Sequence, residues 1–198
     1  MKMTFSTKAK TLSQLRSILK SAKIAPMFYF SIAEWNKDEK GILENIENTL
    51  RCSNYIVRSS CKREDGFTNS NAGSYLSILN VNTNNLYDSI KKVIDSYGEP
   101  EALDEVLIQP MLNNVVRSGV AFSHDPNTCS PYQIVNWTEG SDTSMVTAGK
   151  GGQIWQQALK TPIKAVPKIN RVIKLLDELI LLFDGIPVDC EFAVTVEN

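Results

Sequence analysis

Three strand-like runs follow one another between residues 105 and 137 with only turns between them: EVLIQPML (105–112), SGVAFS (118–123) and YQIVNW (132–137). Asn113, Asn114 and the segment DPNTCSP supply the turn chemistry. The first hundred residues read differently. Leu12, Leu15, Ile18, Leu19 and Ala22 recur at a helical period over 11–22, and Ile42, Leu43, Ile46 and Leu50 do so over 38–51. Leu86, Ile90, Val93, Ile94 and Tyr97 form a third helical face that stops at Gly98 and Pro100. Strands are expected at IAPMFYFSI (24–32), NYIVR (54–58) and YLSILNV (75–81). A polar stretch (138–152), an apolar helix (167–183) ending at Gly185 and an alternating strand (188–195) complete the chain. Strands clustered in this way predict an α+β fold and not a regular βαβ alternation. The lobe boundary is expected near 98–104, giving an N-terminal lobe over 1–100 and a C-terminal lobe over 101–198.

Composition narrows the function classes. With 198 residues the chain is long enough to bury a core. Apolar residues make up 42% and charged residues 22%, a globular balance. A formal net charge of −1 argues against a nucleic-acid binder, which usually carries a basic excess. The opening MKMTFSTKAK lacks the apolar region of a signal peptide. The greasiest run, LLDELILLF (175–183), is too short to span a bilayer. The four cysteines have no CxxC spacing, so reduced thiols and a cytoplasmic location are expected. His124 is the single histidine, which leaves little material for a zinc site or a Ser–His–Asp relay, and its SHDP context reads as a turn. Trp35, Trp137 and Trp155 do not interleave with basic clusters and read as packing residues.

Four features carry possible chemistry. Asp189 and Glu191 share one face of the last strand, about 7 Å apart by strand rise. Such a pair suits a hard cation such as Mg²⁺, and it equally suits the solvent face of an edge strand. Arg58 ends an apolar strand just before Ser59 and Ser60, where a guanidinium can fork onto phosphate oxygens with the serine hydroxyls and backbone N–H groups completing the cradle; an ion pair with Glu64 or Asp65 is the plainer reading. Lys8 precedes a helix, a position unfavourable for a cation unless an anion is near; a surface lysine is the alternative. The run NAGSY (71–75) fits a glycine loop over phosphates or a simple hairpin. No Walker A pattern and no GxGxxG is present.

The order of these features is more telling than any one of them. TKAKTLSQLRSILKSAKIAPMFYFSIAEW (7–35), VRSSCKREDGFTNSNAGSYLSILNV (57–81), VLIQPMLNNVVRSGVAFSHDP (106–126) and DCEFAV (189–194) resemble, in sequence order, blocks of one family. It is the N-terminal ATP-grasp nucleotide-binding domain of phosphoenolpyruvate synthase and pyruvate phosphate dikinase. The most specific likeness is to its "RSS…ED…S.AG…LNV" block. The resemblance implies two small lobes of mostly antiparallel sheet with helices, ATP and Mg²⁺ as ligands, and phosphoryl transfer to a histidine on a separate domain. It implies that Lys8 and Arg58 contact phosphates, that Ala72 and Gly73 lie in the covering glycine loop, and that Gln109, Met111 and Leu112 recognise adenine. Asp189 and Glu191 match the acidic residues of the metal site.

The chain also departs from that family. Its "GLGE" segment is replaced by TEGSDTSMVTAG (138–149), where Asp142 is the candidate substitute for the glutamate. The segment "LQxRP", the "TSH" phosphohistidine domain and the pyruvate-binding barrel are not in this sequence. The expectation is therefore a piece of a longer phosphotransferase, inactive by itself. The alternatives are a degenerate, non-catalytic ATP-grasp module and the nucleotide domain of a phosphotransferase with another acceptor.

Overall fold

The computed structural model describes residues 2–61, 76–140, 151–162 and 166–196. They form two compact units. One comprises Phe5–Ile18 and Ile24–Met111; the other comprises Met1–Thr4, Leu19–Lys23 and Leu112–Asn198. The α+β class expected from the sequence is observed, with each unit built on one antiparallel sheet.

The first unit contains α1 (Lys8–Leu15), β1 (Phe28–Ser31), α2 (Ile32–Lys37), α3 (Glu39–Leu50), β2 (Asn54–Ser60), β3 (Ser77–Asn82), α4 (Leu86–Asp95) and β4 (Glu105–Pro110). The sheet order is β1-β4-β2-β3. Residues 101–111, expected in the C-terminal lobe, thus belong to the first unit, because β4 hydrogen-bonds to β1 on one side and β2 on the other. Alternation along the strands divides the sheet into two faces. Phe30, Tyr55, Val57, Val106 and Ile108 point to a core shared with Trp35 of α2, Ile42 and Ile46 of α3, and Leu86, Ile90 and Val93 of α4. Ile46 and Ile90 are fully buried, and each such side chain contributes roughly 1.5–3 kcal/mol. The opposite face carries α1, whose Ala9 N–H donates to Ser60 Oγ at 2.8 Å.

Local chemistry explains where these helices begin. Thr7 caps α1. Asp38 caps α3, accepting from Gly41 N–H at 2.9 Å. The expected strand over 24–32 is shorter, since Ser31 and Glu34 form a capping box that starts α2. The helix expected over 11–22 begins earlier, at Lys8, and ends at Leu15. Residues 19–23 are held instead in the second unit, where Glu178 accepts from the backbone N–H of Lys20 (2.8 Å) and of Ser21 (2.7 Å) and from Ser21 Oγ (2.5 Å).

The second unit contains β5 (Val115–Phe122), β6 (Tyr132–Glu139), β7 (Gln153–Ala158), α5 (Asn170–Leu182) and β8 (Asp189–Thr195), with sheet order β7-β6-β5-β8. One face packs on α5, burying Ala121, Val135 and Trp137 against Val172, Ile173 and Leu176. Gly119 of β5 lies opposite Trp137 of β6 and Phe192 of β8. A Cβ there would stand 2.1 Å from Asn136 O and 2.8 Å from Trp137 Cα. Both are backbone atoms, so the glycine of SGVAFS is a steric requirement of this pairing.

Gly119→Ala is therefore expected to destabilise the fold by about 1–3 kcal/mol, measured as a lowered denaturant midpoint. A second expectation concerns acid. Burial opposes ionisation of Glu178, yet its Ser21 and Lys20 donors outweigh that and hold its carboxyl below the usual glutamate value of 4.5. The group thus contributes stability that is present above that value and lost as pH falls through the lower folded value. The difference in melting temperature between the wild type and Glu178→Gln should shrink progressively below pH 4.5. A difference that stays constant on acidification would contradict this clamp.

Candidate functional site

The α1 face of the first sheet brings together groups that are far apart in sequence. Lys8 opens α1 and is half-buried. Arg58, also half-buried, lies opposite Leu107 of β4, and the buried Gln109 of β4 lies opposite Ile56. Arg58 and Gln109 are therefore diagonal neighbours on one face, roughly 7–8 Å apart. Met111 follows on the same chain and donates its N–H to Asn54 O at 2.9 Å. Leu112 is exposed and is the first residue of the second unit's long segment. Ala72 and Gly73, like Glu64, Asp65 and Asp142, lie outside the described residues.

A carboxylate that the sequence reading did not single out organises this face. Glu105 starts β4 and is only 3% exposed. It accepts a short hydrogen bond from the Thr7 hydroxyl, and its Oε1 lies 2.6 Å from Lys10 Nζ. The Glu105 carboxylate, hydrogen-bonded to Lys10, holds that ammonium above its ordinary value. Glu105 O accepts from Tyr97 Oη (2.5 Å), and the same hydroxyl accepts from Ser60 N–H (3.1 Å). The anion that a lysine-bearing helix start calls for is thus supplied by the protein itself. Ser59 and Ser60, read as hydroxyls of a phosphate cradle, are both fully buried, and Ser60 Oγ is engaged with α1. The signal available in sequence was a carboxylate at the head of an otherwise apolar strand, EVLIQP.

In the second unit, β8 alternates as expected. Asp189 and Glu191 are exposed, lying opposite Phe122 and Val120 of β5. Cys190 and Phe192 pack against the core on the other face. Burial pushes the Cys190 thiol up to about 12, with the charges of Asp189 and Glu191 adding to the effect. Among the described residues no group of three or more His, Cys, Asp or Glu side chains is gathered for a metal. Two carboxylates on one face still suit Mg²⁺, which is commonly held by one or two carboxylates together with substrate phosphates. Glu139, at the edge of the segment that departs from the family pattern, is engaged by Lys168 (2.8 Å) and Arg117 (3.3 Å). His124 Nδ1 lies 3.0 Å from Ser123 Oγ, which accepts from Val188 N–H at 2.7 Å, a turn-stabilising arrangement.

Comparison with known families decides the lineage. Residues 5–104 match the model described as "pyruvate phosphate dikinase, AMP/ATP-binding domain". The chain belongs to that family. The match supports nucleotide binding; it includes Lys8, Arg58, Ala72 and Gly73, and it stops short of Gln109, Met111, Leu112, Asp189 and Glu191. A comparison with curated proteins finds no match. Among solved structures the chain is similar to PH1788 from Pyrococcus horikoshii Ot3, at 15% identity and a TM-score of 0.51, covering 91% of this chain and 79% of that one. That likeness shows a shared fold. The chain is also similar to ATP citrate lyase from Methanothrix soehngenii (12% identity, TM-score 0.47, 96% of this chain and 47% of that one). A third similar structure is D-alanine–D-alanine ligase from Helicobacter pylori (14% identity, TM-score 0.41, 94% and 45%). This chain spans less than half the length of those two enzymes. No helix among the described residues is long and apolar enough to cross a membrane.

The alternation of β8 has a direct readout. In metal-free buffer near pH 8, a small alkylating agent should modify the exposed Cys129 rapidly and Cys190 far more slowly, as followed by mass spectrometry of peptides. Equal rates would show that Cys190 does not face the core.

Proposed function

We propose that this chain is the ATP-binding part of a phosphoenolpyruvate-synthase-like dikinase, binding Mg-ATP and donating a phosphoryl group to a histidine on a separate domain. The observation that supports this reading is that Arg58 and Gln109 share one face of the first sheet, the face on which α1, opened by Lys8, is docked, in a chain of the AMP/ATP-binding family. Lys8 and Arg58 would offset the charge of the phosphate chain, the guanidinium through paired N–H donors. Gln109 and the backbone leading to Met111 and Leu112 would receive the adenine. Ala72 and Gly73 would lie over the phosphates. Asp189 and Glu191 would hold Mg²⁺, which when bound supplies Lewis-acid charge neutralisation at phosphate oxygens. The protein's own contribution to transfer is then positioning and electrostatics, since phosphoryl transfer asks for little covalent chemistry from the enzyme. The residue classes agree with an ATP ligand: separated cations and an acidic pair.

Titration calorimetry of the full-length protein with Mg-ATP tests the reading. Saturable binding is expected, and Arg58→Ala should weaken it by roughly 10–100-fold, the loss of a charge-assisted hydrogen bond worth about 1.5–3 kcal/mol. Absence of binding by the full-length wild type would sink the proposal.

A further inference from the structure

Lys8 lies within a short segment whose flanking residues are all engaged. Thr7 on one side gives its hydroxyl hydrogen to Glu105 and accepts from Lys10 N–H at 3.4 Å. Ala9 on the other side donates its N–H to Ser60 Oγ at 2.8 Å. Lys10 is ion-paired to Glu105 at 2.6 Å. Ser60 and Glu105 are themselves direct cross-strand partners of β2 and β4. Arg58 is the next residue along β2 on that same face, about 7 Å away by strand rise. The first turn of α1 is therefore docked at one step of sheet register from Arg58, and a single buried carboxylate receives two of the bonds that dock it.

We propose that Glu105 is a positioning residue for Lys8: by holding Thr7 and Lys10 it sets the first turn of α1 against β2 and β4, and so sets the lysine's place relative to Arg58. The inference rests on the ATP reading, in which Lys8 contacts phosphate. Glu105 also occupies the positive end of α1 with an internal anion. A phosphate is then left to the Lys8 side chain and not to the helix terminus.

Positioning by Glu105 and simple electrostatics predict effects of opposite sign. Deleting a negative charge near a triphosphate site should by itself tighten anion binding. If Glu105 positions Lys8, Glu105→Gln, which keeps the shape and an acceptor for Thr7, should instead weaken Mg-ATP binding by roughly tenfold. Adenosine, which has no phosphates, should bind the variant as it binds the wild type. A purely structural role for Glu105 would weaken both ligands together.

The experiment is calorimetry of the full-length wild type, Glu105→Gln, Lys8→Met and the double variant, each with Mg-ATP and with adenosine. Support requires that Glu105→Gln lose affinity for Mg-ATP alone and that it add nothing in the Lys8→Met background. Unchanged or tighter Mg-ATP binding by Glu105→Gln, or losses that add in the double variant, would overturn the positioning role. If Lys8→Met leaves Mg-ATP binding intact, the phosphate-contact reading itself fails, which is a separate result. Should Glu105→Gln not fold, Thr7→Val takes its place, with the same pattern expected and the same outcomes overturning it.

Discussion

A carboxylate as deeply buried as Glu105 is tolerated only when its charge and lone pairs are met, because the desolvation cost of an isolated buried ion is several kcal/mol. Here Lys10 meets the charge and the Thr7 hydroxyl meets a lone pair. The Lys10 side chain is 47% exposed, so solvent screens part of the pair and its net worth is below that of a fully buried bridge. Its structural consequence is larger than its energy. At the single register position Ser60–Glu105 the sheet receives α1 through Ala9 and Thr7, and the end of α4 through the Tyr97 hydroxyl. Both faces of the first sheet are tied together at that point.

Elements with a long, clean period were legible before any coordinates. The apolar face of Ile42, Ile46 and Leu50 marks α3, and it is the face that is buried. The alternation of Cys190, Phe192 and Val194 against Asp189, Glu191 and Ala193 marks β8, and its burial pattern follows it. Shorter or more polar elements escaped. The six-residue α2 has no room to show a period; its signal was the Ser31 and Glu34 pair, a capping box. The sequence QIWQQA carries little apolar alternation, and β7 exists because it pairs with β6 along an edge.

The candidate site was legible to a different degree in its two halves. Lys8, Arg58 and Gln109 could be named from the order of motifs. That Arg58 and Gln109 share a face depends on β4 pairing with β2, which no local pattern announces. Glu105 was missed because a carboxylate at the start of a strand reads as a surface charge until its neighbours are known. The hydroxyls of Ser59 and Ser60 were read as ligand-facing, whereas alternation and α1 bury them.

By itself, the sequence determined the α+β class, most of the strands and helices, and the family. These follow from local periodicity, turn chemistry and motif order, all short-range properties of a chain. Tertiary structure alone decided that residues 101–111 complete the first sheet, that residues 19–23 are held by Glu178 in the second unit, and that Glu105 is an internal counter-ion. The bonds of Glu178 and Glu105 join residues more than ninety positions apart, and β4 pairs with strands that precede it by whole intervening helices; such long-range pairing is set by which buried groups satisfy one another and not by any local preference.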